Sequence, residues 1–328
     1  MAVLIRSTGS FVPDNRYSND QLSAIVDTTD EWIRSHTGIG ARHIAPDGTM
    51  TSDLALGAAK SALEKAGIGP EEVDYIAVAT ASPDYFGFPA TACIVQDKLG
   101  ASKAAAFDVV AGCTGFIYAL DTVSAMLEAR KARYGLVIGA ETLSRIADWA
   151  DRSTCVLFGD GAGCALLENS QAETDRGLKA SILGSDGGGA LDLYLAQGMR
   201  DKTFDRGEPY QDFPKIVMNG KNVYNFAVKA ITKLIADLLD RSGIPLEDFR
   251  WIVPHQANLR IVQAAAKRFG LPEERFYLNI QEYANTSAAS VPIALNEIAE
   301  KSLVKPGDPV MLLGFGAGLT FGGSVLRF

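Results

Sequence analysis

The chain repeats itself, and that repeat restricts its fold more than any other feature. Gly67-Ile68-Gly69-Pro70-Glu71-Glu72-Val73-Asp74-Tyr75-Ile76-Ala77-Val78 aligns without gaps on Gly243-Ile244-Pro245-Leu246-Glu247-Asp248-Phe249-Arg250-Trp251-Ile252-Val253-Pro254. Each stretch follows an amphipathic helical pattern, over 54–66 in one case and 223–241 in the other. Each leading glycine therefore falls where a helix ends in left-handed geometry, and each stretch runs on into an apolar strand. Further along, 134–139 resembles 308–314, and Phe158-Gly159-Asp160-Gly161 resembles Phe321-Gly322-Gly323-Ser324. Between these come two similar junctions. A strand over 105–110 runs into Gly112-Cys113-Thr114-Gly115 and a helix over 116–131; a strand over 276–280 runs into Asn285-Thr286-Ser287 and a helix over about 288–301. The spacing predicts two halves, 1–172 and 173–328, each a helix–strand–strand–helix–strand unit. Buried apolar strands alternating with helices predict an α/β fold with central sheets covered by helices. The polar, Gly- and Asp-rich insert 190–213 reads as a surface excursion.

Composition narrows the function classes. At 328 residues, 47% hydrophobic and 21% charged, the chain is ordinary globular protein. A net charge of -8 opposes non-specific nucleic-acid binding. No apolar run reaches the roughly 20 residues of a membrane span, and residues 1–6 lack the basic lead and apolar length of a signal peptide. The chain therefore reads as complete and cytoplasmic, with neither nucleic acid nor membrane as partner. Cys93, Cys113, Cys155 and Cys164 show no paired ligand spacing, and there are three histidines, so no metal site is expected.

Three side chains carry the chemistry. Cys113 occupies the first strand-to-helix junction, where unpaired amides and the positive end of a helix favour a thiolate. Gly112 and Gly115 allow a sharp turn there. A buried structural cysteine fits the motif equally well. Asn285 occupies the equivalent junction of the second half; it serves as a helix cap or as a functional amide, and Thr286 and Ser287 could cap in its place. His255 ends a strand ahead of Gln256 and Asn258, whereas His36 and His43 fall in a loop-like segment. A Cys, a His and an Asn meeting between two related halves would form a nucleophilic constellation. The other cysteines read as structural: Cys93 among small helical residues, Cys155 and Cys164 in strand-like patterns. The tail Gly314-Phe315-Gly316-Ala317-Gly318-Leu319-Thr320-Phe321-Gly322-Gly323 lacks the following helix and acidic residue of a dinucleotide fingerprint, and there is no Gly-Lys-Ser/Thr loop. It is a tight turn, or it offers a backbone amide to an oxyanion. Phe158-Gly159-Asp160-Gly161-Ala162-Gly163 reads as a structural turn. Arg260, Lys267 and Arg268 share one helix face, which is either a solvated surface or a docking face for an acidic partner.

Taken together, these motifs resemble the condensing enzymes of the thiolase superfamily, and most of all the 3-oxoacyl-[acyl-carrier-protein] synthase III family. Asp30-Glu31-Trp32-Ile33, Thr37-Gly38-Ile39, Gly112-Cys113-Thr114-Gly115-Phe116, Pro254-His255-Gln256-Ala257-Asn258-Leu259-Arg260 and Asn285-Thr286-Ser287-Ala288-Ala289-Ser290 carry the resemblance, with the two glycine motifs. It implies a five-layered αβαβα fold, a homodimer, and no cofactor beyond the substrates acyl-CoA and malonyl-acyl carrier protein. It implies Cys113 as the acyl-accepting nucleophile, with His255 and Asn285 serving the decarboxylative condensation that initiates fatty acid biosynthesis. The backbone amides of Cys113 and Ala317 would form the oxyanion hole. Trp32 and Arg152 match the pair that sandwiches the coenzyme A adenine; Met218, Gly220 and Asn258 match the pantetheine tunnel. Phe88 matches a residue that reaches into the partner's acyl pocket, and Arg260, Lys267 and Arg268 a face for the carrier protein.

Four positions depart from the family pattern. His36 stands where Arg is common, Asn225 where Lys is frequent, and Ala284 and Ala317 where Gly is usual. No cysteine follows Cys164, against a biosynthetic thiolase, and the Asn motif argues against synthases I and II. A specialised-metabolism relative keeps the same triad. From other classes, a cysteine thioester hydrolase would give free acid, and a non-catalytic carrier-binding subunit would leave Cys113 unacylated.

Overall fold

A computed structural model describes residues 2–170, 172, 174–196 and 214–328. Two sheets form its frame, and they share one strand order. The first runs Ala2–Phe11, Gly161–Ser170, Tyr134–Glu141, Tyr75–Ala79, Ala105–Val109; the second runs Gly177–Ser185, Thr320–Arg327, Pro309–Gly316, Trp251–Pro254. In each, two antiparallel pairings are followed by a parallel one. The first sheet continues with the parallel strand Ala105–Val109, and the second with a single parallel bridge from Ile252 to Phe276.

Helices cover both sheets and separate them, so the fold is α/β with five αβαβα layers. Helices Thr51–Ala66 and Thr91–Leu99 pack on the outer face of the first sheet around Leu54, Leu63, Val95, Leu136 and Leu166. Helices Gly220–Ser242 and Leu259–Phe269 do the same on the second, around Leu234, Leu238, Ile261 and Met311. Between the sheets lie Gly115–Arg130 and Ser290–Glu300, burying Phe116, Leu120, Leu295 and Ile298 against Val137, Val253 and Leu312. Each fully buried aliphatic or aromatic side chain of this kind contributes roughly 1.5–3 kcal/mol. No helix among the described residues is long and apolar enough to cross a membrane. Gly67 and Gly243, with φ of 66° and 65°, end their helices in left-handed geometry.

The two central helices begin by crossing to the opposite half. The turn at Ala288 lies over Gly139 of the first sheet, where a Cβ would strike the Ala288 carbonyl oxygen and come within 3.0 Å of the Ala289 nitrogen. The turn at Thr114 lies over Gly314 of the second sheet, where a Cβ would sit 3.2 Å from the Thr114 Cα. A larger residue at 139 would have to move backbone, whereas one at 314 would need its neighbours, Ile117 and Thr114, to give by a few tenths of an ångström.

Several expectations need correction. Residues 276–280 do not form a strand. Tyr277 donates its N–H to Ile252 at 2.9 Å, but then the Gln256 side chain takes the ladder positions: its amide donates to the Tyr277 carbonyl at 3.1 Å and accepts from Asn279 N–H at 3.2 Å. The chain turns into the short helix Ile280–Tyr283 instead. His36 and His43 are not in loops but in helix Asp30–Thr37 and strand Ala41–His43. Cys155 ends helix Arg152–Cys155, capped by the Asp151 carboxylate, rather than lying in a strand. Residues 197–213 of the insert lie outside the described residues.

Gly139→Ala is expected to lower stability by about 1–3 kcal/mol, the range for overpacking a rigid interior, read as a shift in the denaturant midpoint. Wild-type stability in that variant would mean the junction does not pack over the first sheet.

Candidate functional site

Cys113 is placed by a tight turn and a glycine opposite. Gly112, at φ 51°, starts the turn Gly112–Thr114 that leads into helix Gly115–Arg130. Gly316 leaves room for the cysteine: a Cβ there would lie 2.7 Å from the Cys113 Cβ and 3.1 Å from Sγ. The Thr320 hydroxyl ties the two loops together, 2.9 Å from both the Ala111 and the Ala317 carbonyl oxygens. The backbone amides of Cys113 and Ala317 lie close enough to the sulfur to favour its anion.

Burial pushes the Cys113 thiol up to about 11, and the nearby Glu141 carboxylate adds to the rise; the Ser287 hydroxyl and the two amides pull the other way. This corrects the expectation of a preformed thiolate. Losing water disfavours the anion that the amides and the Ser287 hydroxyl favour.

His255 follows strand Trp251–Pro254 and is fixed by its backbone N–H donating to Leu313 O at 2.7 Å. Its ring meets Phe315 edge-on at 5.4 Å, and Nδ1 lies 2.7 Å from the Ser290 hydroxyl. Burial pushes its pKa down to about 3, so the imidazole is neutral at working pH.

Asn285 is held by the motif that reads as a structural turn. Its N–H donates to Leu157 O at 2.9 Å, and its own carbonyl accepts from Gly159 N–H at 3.0 Å. That turn is anchored by buried Asp160, which accepts from Ala45 N–H, Ser144 N–H and the Ser144 hydroxyl. Asn285 Oδ1 accepts from Ser287 N–H at 2.8 Å. The oxygen being occupied, Nδ2 is left as a donor with no protein partner among the described residues. Ala284, just before, has φ 57° and ψ -153°, a region open essentially to glycine alone.

Cys113, His255 and Asn285 line one cavity of about 260 Å³, whose wall also includes Met218, Gly220, Asn258, Trp32 and His36. A second, mostly apolar cavity of about 90 Å³ reaches Cys113 and Ala317 from another side, between Leu143, Ile146, Phe158, Leu193, Leu195 and Ile216. Leu193 and Leu195 belong to the insert read as a surface excursion. They pair with Ile216–Met218; Leu193 walls both cavities and Leu195 the apolar one. A larger cavity of about 340 Å³ near Tyr17, Arg42 and Trp149 holds none of the three groups. Among the described residues, no cluster of three His, Cys, Asp or Glu is arranged to hold a metal.

At the outer end of the main cavity, the Arg152 guanidinium lies 5.1 Å over the Trp32 ring and donates to Asp27 O at 3.0 Å. His36 stacks on Trp32 at 4.4 Å. A purine between Trp32 and Arg152 would need about 7 Å, two contacts of ~3.5 Å, so Arg152 must swing outward to admit one. Asn258 caps helix Leu259–Phe269 and donates to His36 O at 3.0 Å. Arg260 donates to Ser35 O at 2.8 Å, while Lys267 and Arg268 are exposed at the far end of that helix. Asn225 is exposed near the start of helix Gly220–Ser242. Phe88 is 89% exposed and lines neither cavity of its own chain.

Sequence reasoning missed Ser287, Ser290, Thr320 and Glu141, all of which brace the site. From sequence, Ser287 reads only as a possible helix cap, Ser290 and Thr320 stand inside motifs without a role of their own, and Glu141 carries no signal.

Comparison with known proteins is consistent across the chain. Family models for 3-oxoacyl-[acyl-carrier-protein] synthase III match residues 107–187, and for its C-terminal region 239–328. The β-ketoacyl-[acyl-carrier-protein] synthase III of Caldanaerobacter subterraneus is 47% identical, over 100% of this chain and 98% of the relative. A crystal structure of 3-oxoacyl-[acyl-carrier-protein] synthase III from Aquifex aeolicus is 41% identical with a TM-score of 0.91, covering 99% and 100% of the two chains. A priming β-ketosynthase from a polyketide biosynthetic pathway is 34% identical with a TM-score of 0.92, covering 100% and 96%.

Two outcomes follow from the geometry. Alkylation of Cys113 by iodoacetamide should climb about tenfold per pH unit above neutrality, because only the thiolate reacts, with no plateau below about pH 10; levelling off under pH 8 would reveal a thiolate already formed. Ala284→Gly should raise the midpoint of denaturant unfolding by roughly 1 kcal/mol, since relief of 1–3 kcal/mol of backbone strain exceeds the added freedom of the unfolded chain. A lowered midpoint would contradict the backbone conformation at 284.

Proposed function

This chain belongs to the 3-oxoacyl-[acyl-carrier-protein] synthase III family, and we propose that it starts fatty acid chains by joining an acyl-CoA primer to malonyl-acyl carrier protein, with Cys113 as nucleophile. One observation carries the reading. Cys113, His255 and Asn285 face a single cavity, with two backbone amides on the sulfur and the Asn285 amide nitrogen free to donate.

In the first half-reaction the Cys113 sulfur attacks the thioester carbonyl. A new carbon–sulfur bond forms, the amides of Cys113 and Ala317 hold the oxyanion, and coenzyme A leaves as its thiol with the proton that Cys113 gave up. The apolar cavity bounded by Leu143, Ile146 and Leu195 suits the acyl chain. Malonyl-acyl carrier protein then replaces coenzyme A. His255 and Asn285 donate to its thioester oxygen. When the carboxylate leaves as carbon dioxide, the bonding pair becomes an enolate whose charge falls on that oxygen. Donors already aimed there lower the barrier, roughly 3–4 kcal/mol for each. The enolate carbon attacks the acyl-Cys113 carbonyl, the carbon–sulfur bond breaks, and the thiolate takes a proton. A neutral imidazole suits this role, because it donates without requiring low pH. No cofactor enters the reading, and neither nucleic acid nor membrane is a partner.

The halves 1–172 and 173–328 supply the nucleophile and the two donors respectively. Trp32, Arg152, Met218, Gly220 and Asn258 hold coenzyme A and the carrier's pantetheine arm. Lys267 and Arg268, with Arg260, dock the acidic carrier from the cytoplasm. Arg260 already binds Ser35 O, so its reversal would also disturb the Trp32 helix; Lys267 and Arg268 test docking more cleanly. A homodimer is supported by the edge strand Ala105–Val109, which runs into Val110 at 84% exposed, and by the exposed side chains of Tyr85, Phe86 and Phe88. An unpaired edge beside an apolar patch invites a second copy, and Phe88 would then reach across it.

Intact mass spectrometry separates the half-reactions. His255→Ala and Asn285→Ala should still take an acyl mass on Cys113 from acyl-CoA, yet lose condensation by a hundredfold or more, about the cost of one oxyanion donor. Cys113→Ala should take no acyl mass; acylation surviving at that site would sink the assignment. Release of free acid instead of a lengthened ketone would favour a thioester hydrolase. A Lys267→Glu/Arg268→Glu variant should raise KM for malonyl-acyl carrier protein while leaving KM for acyl-CoA unchanged. Val110→Asp should shift sedimentation from dimer toward monomer, and an unaltered profile would place the interface elsewhere.

A further inference from the structure

We infer that the Ser290 hydroxyl sets the tautomer of His255, holding the ring as the Nε2–H form that donates into the cavity. The inference rests on the condensing reading above, and it concerns a residue that touches no substrate.

Ser290 begins helix Ser290–Glu300 with its hydroxyl buried behind the imidazole. The hydroxyl has one proton and two acceptors within reach. His255 Nδ1 lies at 2.7 Å and the Ser287 carbonyl oxygen at 2.9 Å. Gln256 N–H approaches the hydroxyl oxygen at 3.4 Å as a donor. Two arrangements satisfy every group. In one, the hydroxyl donates to Ser287 O, Nδ1 carries the ring proton and donates to the hydroxyl, and Nε2 presents a bare lone pair to the cavity. In the other, the hydroxyl donates to Nδ1, and Nε2 carries the proton.

Three observations favour the second arrangement. The hydroxyl lies closer to Nδ1. Ser287 O already accepts the Ser290 backbone N–H and does not depend on the hydroxyl. The ring is buried and neutral, so it carries one proton and cannot donate from both nitrogens. A bare Nε2 facing a thioester oxygen would set two acceptors against each other at the moment negative charge develops there. A donating Nε2–H, beside the Asn285 amide, stabilises that charge. Ser290 is thus a positioning residue. It acts through the proton it keeps off Nδ1.

Nitrogen-15 NMR of the histidine rings in the resting dimer or monomer reports the tautomer directly, independent of turnover. Wild-type protein should show His255 with the proton on Nε2. In Ser290→Ala the Nδ1–H form should become populated, condensation should slow by about tenfold, the effect of one neutral hydrogen bond, and acylation of Cys113 should keep its rate. KM for malonyl-acyl carrier protein should not change. Ser290→Thr, which restores the hydroxyl, should recover the Nε2–H signal and the rate. A wild-type ring protonated on Nδ1 overturns the inference, as does an unchanged tautomer in Ser290→Ala; the wild-type spectrum alone decides the matter should either variant fail to fold. If the wild type shows Nε2–H but condenses nothing, the proposed function fails while the tautomer assignment stands.

Discussion

Two backbone turns packed against each other hold this site together. The turn carrying Cys113 lies over Gly314 of the second sheet, and the turn that follows Asn285 lies over Gly139 of the first. Each half therefore sends the start of its central helix across the molecule, and the two starts meet in the middle layer. That crossing brings a thiol, an amide and an imidazole to one cavity from positions far apart in the chain. It demands glycine at 139, where a methyl group would strike the Ala288 carbonyl and displace a peptide, and leaves only tight space at 314.

The groups so assembled are neutral. Burial keeps Cys113 as a thiol and His255 as an uncharged imidazole, and Asn285 contributes an amide. The charges that matter are those the reaction creates, first on an acyl oxygen and then on an enolate oxygen. A site made of fixed donors in a dry cavity stabilises such charges without rearranging at the moment they appear. A buried carboxylate nearby, Glu141, is saturated by donors: the hydroxyls of Thr80 and Ser82, and backbone N–H groups of Ala81, Ser82 and Ala288. It ties the end of the first sheet to the Asn285 turn. Burial raises the pKa of this carboxyl while the donors around it pull the other way.

The support around the three groups is made of short, local hydrogen bonds. Leu157 and Gly159 clamp the Asn285 backbone, Ser287 N–H orients its amide, Leu313 fixes His255, and Thr320 joins the Cys113 loop to the tail. These contacts explain why the glycine-rich stretches at 158–163 and 314–323 lie beside the chemistry although none of the three reactive side chains comes from them.

Local patterning in the amino-acid sequence determined the layers and the identity of the reactive groups. Apolar runs broken by Gly67 and Gly243 marked matching helix–strand units, and Cys113 and His255 stood at strand ends where side chains become available, with Asn285 in the turn that leads into a central helix. Such features depend on near neighbours, so one chain displays them. Tertiary structure alone decided the rest. The burial that opposes a thiolate at Cys113 was not legible, because burial is a property of the whole fold. The expected strand at 276–280 gave way because a distant side chain, Gln256, supplied its hydrogen bonds. Leu193 and Leu195 became cavity walls because their polar neighbours hid an apolar face that only pairing with 216–218 turns inward. Burial, pairing and the sharing of protons arise between segments far apart in sequence, and a reading of adjacent residues does not contain them.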